Sequence, residues 1–568
     1  MSWPYTLLTA IPLALAGAFV AQTVIGLLRN YRAARSLGVP LRFIPISPMN
    51  PFWMLVDRGV LSFLSRRFPF LRDTSFTRYN WRGWEVKDRY RSHHEMGDIW
   101  VLVTPFKNWV YINDPEALIA LFRRGSDFPH PVFITELLNV FGPNISTAEG
   151  QAWKTQRRIA LHCFNEQNNE VVWREALTLA RDMRDYWTSK PSVDTAAADL
   201  RTLSLHILSR AGFGKSFPFE SQEDQKKAAG SAPGAPATVN YKEALQIILE
   251  NLVLIVGLGT KFLAKPWLPK KLRDINTACV AFRAYMTQTY EEEKAAYLDG
   301  RPTESNLMQS MIRASQADAK SGADGGLTEA EIYGNMFAFN FAGHDTTAHT
   351  LTFAMFFLAA NPEVQDWIAE EIHRVLGDRP IDAWDYRSDF PRLKRCLAVM
   401  YETLRLYDIV PVIKWTADKA QSLVVGGKTY MLPPNSMIAP SYGSLQTDPR
   451  FWGADSLEWK PSRFIVKRSE SDDARQDEEF RIPVRGSFIA WSDGARDCPG
   501  RKFSQVEFVA TMAGLFRDDW RVSPVLLPGE TPDAARRRVL DLVENDSGMV
   551  LLQQMLHPER APLVWKRK

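Results

Sequence analysis

The segment Trp491-Ser-Asp-Gly494-Ala-Arg496-Asp-Cys498-Pro499-Gly500 is the part of this 568-residue chain whose residue types and spacing most clearly imply chemistry. Gly494 permits a tight turn, and Gly500 lets a flat ligand approach the backbone. The helical pattern over residues 501–515 predicts that Cys498 sits at a helix start with Pro499 in the first turn. There, free N–H groups and the positive end of the helix dipole lower a thiol's pKa. A thiolate so placed is a good soft ligand for iron. Arg496, two residues away, can pair with a ligand carboxylate. Cys163, Cys279 and Cys396 lie in helix-like sequence with no special turn and read as small buried hydrophobes.

Four further segments occur in a definite order around it. Gly150-Gln-Ala-Trp153-Lys-Thr-Gln-Arg157 puts Trp153 and Arg157 on one helix face. Ala342-Gly343-His344-Asp345-Thr346-Thr347 combines a small pair, which leaves room for a small molecule, with an acid beside a hydroxyl, which can relay protons. An ordinary polar kink is the plainer reading of that hexapeptide. Glu402-Thr-Leu-Arg405 sets an acid and a base three apart, a common surface pair by itself. Pro461-Ser462-Arg463-Phe464 comes next.

In this order the segments resemble the cytochrome P450 family. Gly494, Arg496, Cys498 and Gly500 match its haem loop FxxGxRxCxG, with Trp491 in place of Phe. Residues 342–347 match the oxygen-activation motif AGx(D/E)TT, 402–405 match ExxR, and 461–464 resemble PERF with Ser462 for Glu. The resemblance runs from about residue 40 to the C-terminus. It implies a mainly α protein with a minor β-sheet, in which a long central helix lies over haem b. Cys498 would be the metal ligand, and Trp153, Arg157, Lys414 and Arg496 would hold the propionates. Lys414 stands where many members carry Arg, so its contact would be a point charge. Ala342 and Gly343 would flank dioxygen, with Asp345 and Thr346 as the catalytic proton relay. Trp491 and Gly500 would pack beside the thiolate. Arg463 would complete a triad with Glu402 and Arg405.

The resemblance implies a haem-thiolate monooxygenase that inserts one oxygen atom from O2 into an apolar small molecule. The loop looks most like fungal members that tailor secondary metabolites. Only a short tail comes after Cys498, so electrons would come from NADPH through a separate membrane-bound reductase, with cytochrome b5 a second possible donor. Lys154, Arg157, Arg158, Arg501 and Lys502 could form a basic docking face. Phe133, Ile134, Thr135, Glu136, Leu137, Leu138 and Phe341 would face the substrate. Two other readings stay open: a haem-thiolate isomerase or dehydratase that does not use O2, and a non-enzymatic haem sensor or carrier.

The elements that must position these residues are mostly helices. Thr328 and Glu331 form a capping box before an apolar segment through Phe357. Asn361-Pro362 opens a helix over 363–376, and another runs from about Leu393 to Leu406. Short strands are expected at 422–425 and 437–439. Leu252–Gly259 mimics a strand entering a dinucleotide turn, but Phe262 occupies the third glycine position, so a helix is expected. Residues 225–237 and 467–479 read as surface insertions.

From Met1 to Leu28 no side chain is charged, and Arg29, Arg32 and Arg35 come immediately after. As a helix, residues 5–28 would span about 36 Å, enough for a bilayer core. The arginine flank would keep the downstream chain cytosolic, which predicts a single-pass endoplasmic reticulum protein. Without a preceding Lys or Arg, the run is a poor signal peptide. The expected organisation is a transmembrane anchor over 1–28, a basic and Pro-rich hinge over 29–51, and one catalytic domain over 52–568. Lys plus Arg total 69 against 65 Asp plus Glu, too even to suggest a nucleic-acid binder. Two sequons, at Asn144 and Asn545, would be modified only in a lumenal domain.

Overall fold

A helix from Glu329 to Ala360 runs through the centre of the fold, buried on every side along most of its length. Its residues are apolar all round rather than on one stripe, as burial at the middle of a large body requires. The computed structural model describes residues 3–131, 135–221, 241–300, 306–320, 326–467 and 478–568. The elements used below are, in chain order, α1 (Trp3–Arg35), β1 (Leu41–Phe43), α2 (Pro51–Arg67), β2 (Ile99–Val103), β3 (Asn108–Ile112), α3 (Gly150–Cys163), α4 (Glu166–Thr188), α5 (Ala196–Phe213), α6 (Lys270–Leu298), α7 (Glu329–Ala360), α8 (Pro362–Leu376), α9 (Lys394–Leu406), β4 (Lys414–Trp415), β5 (Gln421–Val425), β6 (Lys428–Leu432), β7 (Met437–Pro440) and α10 (Arg501–Phe516). The main sheet has five strands in the order β1-β2-β3-β7-β4. Val101 pairs with Val110 across the antiparallel β2–β3 ladder, and Val110 with Ile438 across the parallel β3–β7 ladder. The strands β5 and β6 form a separate antiparallel hairpin. α5 packs along α7, and α10 along α4.

The capping box is formed: the Thr328 hydroxyl accepts from the Glu331 N–H at 3.3 Å, and the Glu331 carboxylate accepts from the Thr328 N–H at 2.9 Å. Asn361 behaves differently from its expected role. Its amide donates to the Phe357 carbonyl at 2.8 Å, closing α7, and makes no cap bond to α8, although Pro362 does occupy the first turn. Leu252–Leu258 is a helix, ended by Gly259 at φ 76°, as the missing third glycine implied. The insertion at 225–237 lies outside the described residues. Of the charged insertion, only the ends are described, and they pair in an antiparallel ladder with Lys467 opposite Glu478.

At the N-terminus α1 continues to Arg35, through the segment expected to begin a hinge. Its last turns dock on the sheet. Asn30 donates to the Thr104 carbonyl at 2.8 Å and accepts from Asn108 through its own carbonyl at 2.9 Å. A Cβ on Gly26 would sit 2.2 Å from the Pro105 carbonyl oxygen, so glycine is needed where the helix crosses the β2–β3 turn. Further on, β1 joins the sheet parallel to β2. Among the described residues, no helix is long and apolar enough to cross a membrane.

Candidate active site at the cysteine loop

The loop before α10 is closed by the Cys498 N–H, which donates to the Trp491 carbonyl at 2.9 Å. Between them the chain makes a turn at Gly494–Arg496, with Gly494 at φ 77° and its Cα facing the Phe122 carbonyl. A Cβ there would lie 2.6 Å from that oxygen, so both the left-handed backbone and the close approach require glycine. Gly500 has an ordinary negative φ, and a Cβ on it would meet Cys498 Sγ at 3.8 Å, on the side where a ligand of the sulfur would lie.

The helix itself begins at Arg501, with Gly500 as its cap, so Cys498 precedes the first turn instead of occupying it. The enclosing protein pushes its thiol up to about 11 even though the side chain opens onto a cavity, while the Gly500 N–H and the charges of Arg157 and Arg501 act in the opposite direction. The expectation that the helix end alone would lower this pKa is therefore corrected: the surrounding protein outweighs it. A coordinated iron deprotonates a thiol outright through its own charge.

Cys498 lines a cavity of about 420 Å³. The opposite wall is α7, and there its burial pattern breaks: Ala342 is exposed, and Gly343 and Thr346 are half-buried, because they open onto this space. Trp491, Gly500 and Phe503 form the sulfur side, while Trp153, Arg157 and Arg496 line one edge. Apolar walls, a thiol below and cations at an edge are what a flat macrocycle bearing carboxylates needs. The residues fit a haem.

The basic edge is densely wired. Arg496 lies over the Trp153 ring at 4.6 Å and donates to the Ala148 carbonyl at 3.0 Å and to Glu149 at 2.9 Å. Arg157 donates to the Asp497 carbonyl at 2.7 Å and ion-pairs with the Asp497 carboxylate. Lys414 is buried and meets His130 Nε2 at 2.9 Å. Burial and the charge of Arg496 bring Lys414 down to about 8, and burial, Lys414 and Arg496 hold His130 neutral at about 3. Three cations share this edge with two carboxylates, Glu149 and Asp497, and the excess positive charge suits a carboxylate-bearing ligand.

Asp345 and Thr346 are adjacent in sequence and separated in space. Thr346 lines the cavity, and its hydroxyl donates to the Ala342 carbonyl at 2.6 Å. Asp345 faces α5, where Arg201 grips it at 2.6 and 3.0 Å. Burial alone would raise this carboxyl, but His344 and Arg201 outweigh it and hold it at about 2. His344 is buried beside it at 3.3 Å. No motif announced Arg201, a single arginine in a helix whose partner lies far along the chain.

Glu402 and Arg405 have fully buried side chains and are joined by two bonds of 2.7 and 2.9 Å. Arg463 donates to Glu402 at 2.9 Å, and Arg405 also donates to the carbonyls of Gln446 and Ser456 at 2.7 and 2.6 Å. The triad thus ties α9 to the loops that precede the cysteine segment. Of the residues expected to face substrate, Phe133 and Ile134 lie outside the described residues; Thr135 lines the cysteine cavity, Leu138 lines both it and a neighbouring one, and Phe341 lines the neighbour.

Comparison with known proteins agrees with this geometry. The family model for cytochrome P450 matches residues 82–523. A cytochrome P450 monooxygenase of Arthrobotrys oligospora is 28% identical over 96% of this chain and 96% of its own length. A cytochrome P450 monooxygenase of Penicillium roqueforti is 27% identical over 87% of this chain and 88% of its own. The phomenoic acid biosynthesis cluster cytochrome P450 monooxygenase of Leptosphaeria maculans is 28% identical, covering 95% and 96%.

Proposed function

The chain belongs to the cytochrome P450 family and is a haem-thiolate oxidoreductase supplied with electrons by a reductase, and from that premise we propose that it inserts one oxygen atom into an apolar small molecule of fungal secondary metabolism. The observation that carries this reading is the cavity in which Cys498 faces Ala342, Gly343 and Thr346 across apolar walls. The relatives named for monooxygenation, one of them from a phomenoic acid cluster, support the metabolic setting.

Bound through Cys498, haem supplies the reductive activation of dioxygen and the transfer of one of its atoms. The chain's own residues do the rest. Arg496, Trp153, Lys414 and Arg157 hold the basic edge where the haem carboxylates belong. Thr346 keeps a hydroxyl at the cavity wall by donating to the Ala342 carbonyl, which leaves its oxygen free to accept a hydrogen bond there. Asp345, ionised against the half-buried Arg201 on the α5 side, is the acid we assign to feeding protons towards Thr346. Coexpression with a reductase and comparison with Cys498→Ala tests the reading. The variant should lose the carbon monoxide difference band of a thiolate-ligated haem, and product should fall at least about a hundredfold; product unchanged in the variant would overturn it.

We further propose that the start of α1 anchors the protein in the endoplasmic reticulum membrane, with the catalytic body cytosolic beside a membrane-bound reductase and cytochrome b5. Exposed apolar side chains support this: Phe19, Val20 and Ile25 on α1, Phe52, Leu55 and Phe63 on α2, and Trp267. Such a patch on a protein surface marks lipid or protein contact. Lys154 and Arg158 are exposed on α3 and suit reductase docking, whereas Arg157 is turned inward. Asn144 is buried, so Asn545, at the exposed end of its helix, is the sequon to assay. It should stay unmodified on cell fractionation, with the protein in the membrane pellet.

A further inference from the structure

A second cavity of about 340 Å³ adjoins the first and shares with it Leu138, Asp408 and the stretch 410–413. Its lining is strongly aromatic, including Trp81, Trp84, Trp109, Tyr111 and Phe341. Two acids break that surface. Glu85 comes from the short helix Trp84–Asp88, and Asp408 from the loop just after α9. Asp408 is 8% exposed, and no side-chain donor or cation reaches its carboxyl oxygens; only the N–H groups of Ile409 and Val410 turn towards them. Glu85 is partly exposed on the same wall, and the charge acting on it is that of another acid, Asp88.

No cation pairs with either acid. Arg82 lines the same cavity, donates to the carbonyls of Val550 and Met54 at 2.6 and 3.4 Å and keeps a buried Nε without a partner, but it is not among the charges that act on Glu85 or Asp408. Arg405 is held by Glu402, and Arg78 pairs with Asp88 at 2.6 Å. The Tyr442 hydroxyl accepts from the Val412 N–H at 3.0 Å. Burial and the charge of Asp88 push Glu85 up to about 8. Burial and Glu85 push Asp408 well above its ordinary range, against the pull of the Val410 and Ile409 N–H groups. A buried acid left without a cation is costly, and a ligand that brings positive charge relieves the cost.

We propose that Glu85 and Asp408 form the polar end of the substrate cavity and select a substrate with a basic amine on an apolar body. The ammonium lies between the two carboxyls, among the aromatic rings, and the apolar remainder runs along the 410–413 wall towards Cys498. An ammonium gains both from the carboxylates and from aromatic faces. A hydroxyl would satisfy one carboxyl and leave the other buried without a partner, and a substrate carboxylate would add like charge. The inference rests on the monooxygenase reading only in treating this cavity as the substrate's.

The test uses the haem-loaded full chain and four probes on one skeleton: N,N-dimethyl-4-phenylbutylamine, its carbon isostere (5-methylhexyl)benzene, 4-phenylbutanol and 5-phenylpentanoate. Equilibrium dialysis should show the amine bound at least about tenfold more tightly than its isostere or the alcohol, and the carboxylate weakest. Asp408→Asn and Glu85→Gln should each remove most of that preference and leave the isostere's Kd unchanged. Asp408→Leu serves as a second variant should the Asn substitution fold poorly. Equal binding of amine and isostere, an alcohol bound as tightly as the amine, or a preference that survives in the double variant would each overturn the proposal. The haem spectrum of the same samples shows whether the nitrogen has gone to iron, in which case the preference survives the substitutions. A chain without the thiolate–haem band fails the monooxygenase reading; one with the band and no amine preference fails this inference alone.

Discussion

Two groups of acids lie close to the C-terminal end of α9, and they are treated in opposite ways. At one, Glu402 receives Arg405, Arg463 and the Lys460 N–H, and the arginines' remaining donors are spent on backbone carbonyls. At the other, just past the helix end, no side-chain donor or cation meets Asp408, and the partly exposed Glu85 is a second acid on the same cavity wall. Glu402 is fully buried and Asp408 nearly so, so burial does not separate those two. What separates them is direction: Glu402 faces protein on every side, whereas Asp408 faces two cavities. A buried charge completed by the chain belongs to the architecture, and one left incomplete at a cavity wall belongs to a ligand.

Breaking the completed group should have the larger effect. Arg405→Leu leaves Glu402 buried with fewer partners and should cost about 3–5 kcal/mol, read as loss of haem-loaded protein or a sharply lower unfolding temperature. The Asp345–Arg201 pair comes next and gives a pH signature. Its carboxyl is held at about 2 in the folded protein against an ordinary 3.8. The stabilisation is therefore complete above the ordinary value and lost as pH falls through the folded one. Asp345→Asn should remove about 2 kcal/mol at neutral pH and abolish that acid-side decline in thermal unfolding scans. A variant as acid-sensitive as the parent would show that the pair does not act as drawn.

The unpaired acids should respond in the other direction. Glu85 is raised from 4.5 to about 8, so the folded state must hold a proton that the unfolded chain releases, and stability falls as pH rises between those values. Glu85→Gln should flatten that decline and gain about 1 kcal/mol at pH 8, as relief of a functional compromise commonly does. A loss of stability instead would erase the contrast between the two groups.

The cysteine segment was legible because its demands are local: two glycines, an arginine and a cysteine within a few residues, then a helical pattern. The helix read over 501–515 is the one observed at Arg501–Phe516, but the pattern did not show that Pro499 and Gly500 form a turn ahead of it that sets Cys498 outside the helix. The Glu402–Arg405 pair was visible as an i, i+3 spacing, but its burial was not, because charged residues on a helix ordinarily mean a wet face. Asp345 stood out by type beside Thr346, yet its partner Arg201 comes from another helix and left no trace in sequence. Residues 29–51 looked like a hinge because prolines and arginines resemble linkers; the sheet that absorbs β1 is assembled from strands far away in the chain.

By itself the sequence determined the cysteine loop, the central helix and the family, since each depends on residues close enough in the chain to form one turn or one helix face. Only the tertiary structure decided which charges are paired and which look into a cavity. Glu85 and Asp408 belong to segments hundreds of positions apart, and neither shows any local pattern. Their meaning comes from the wall they share and from the cations that other contacts keep away from them.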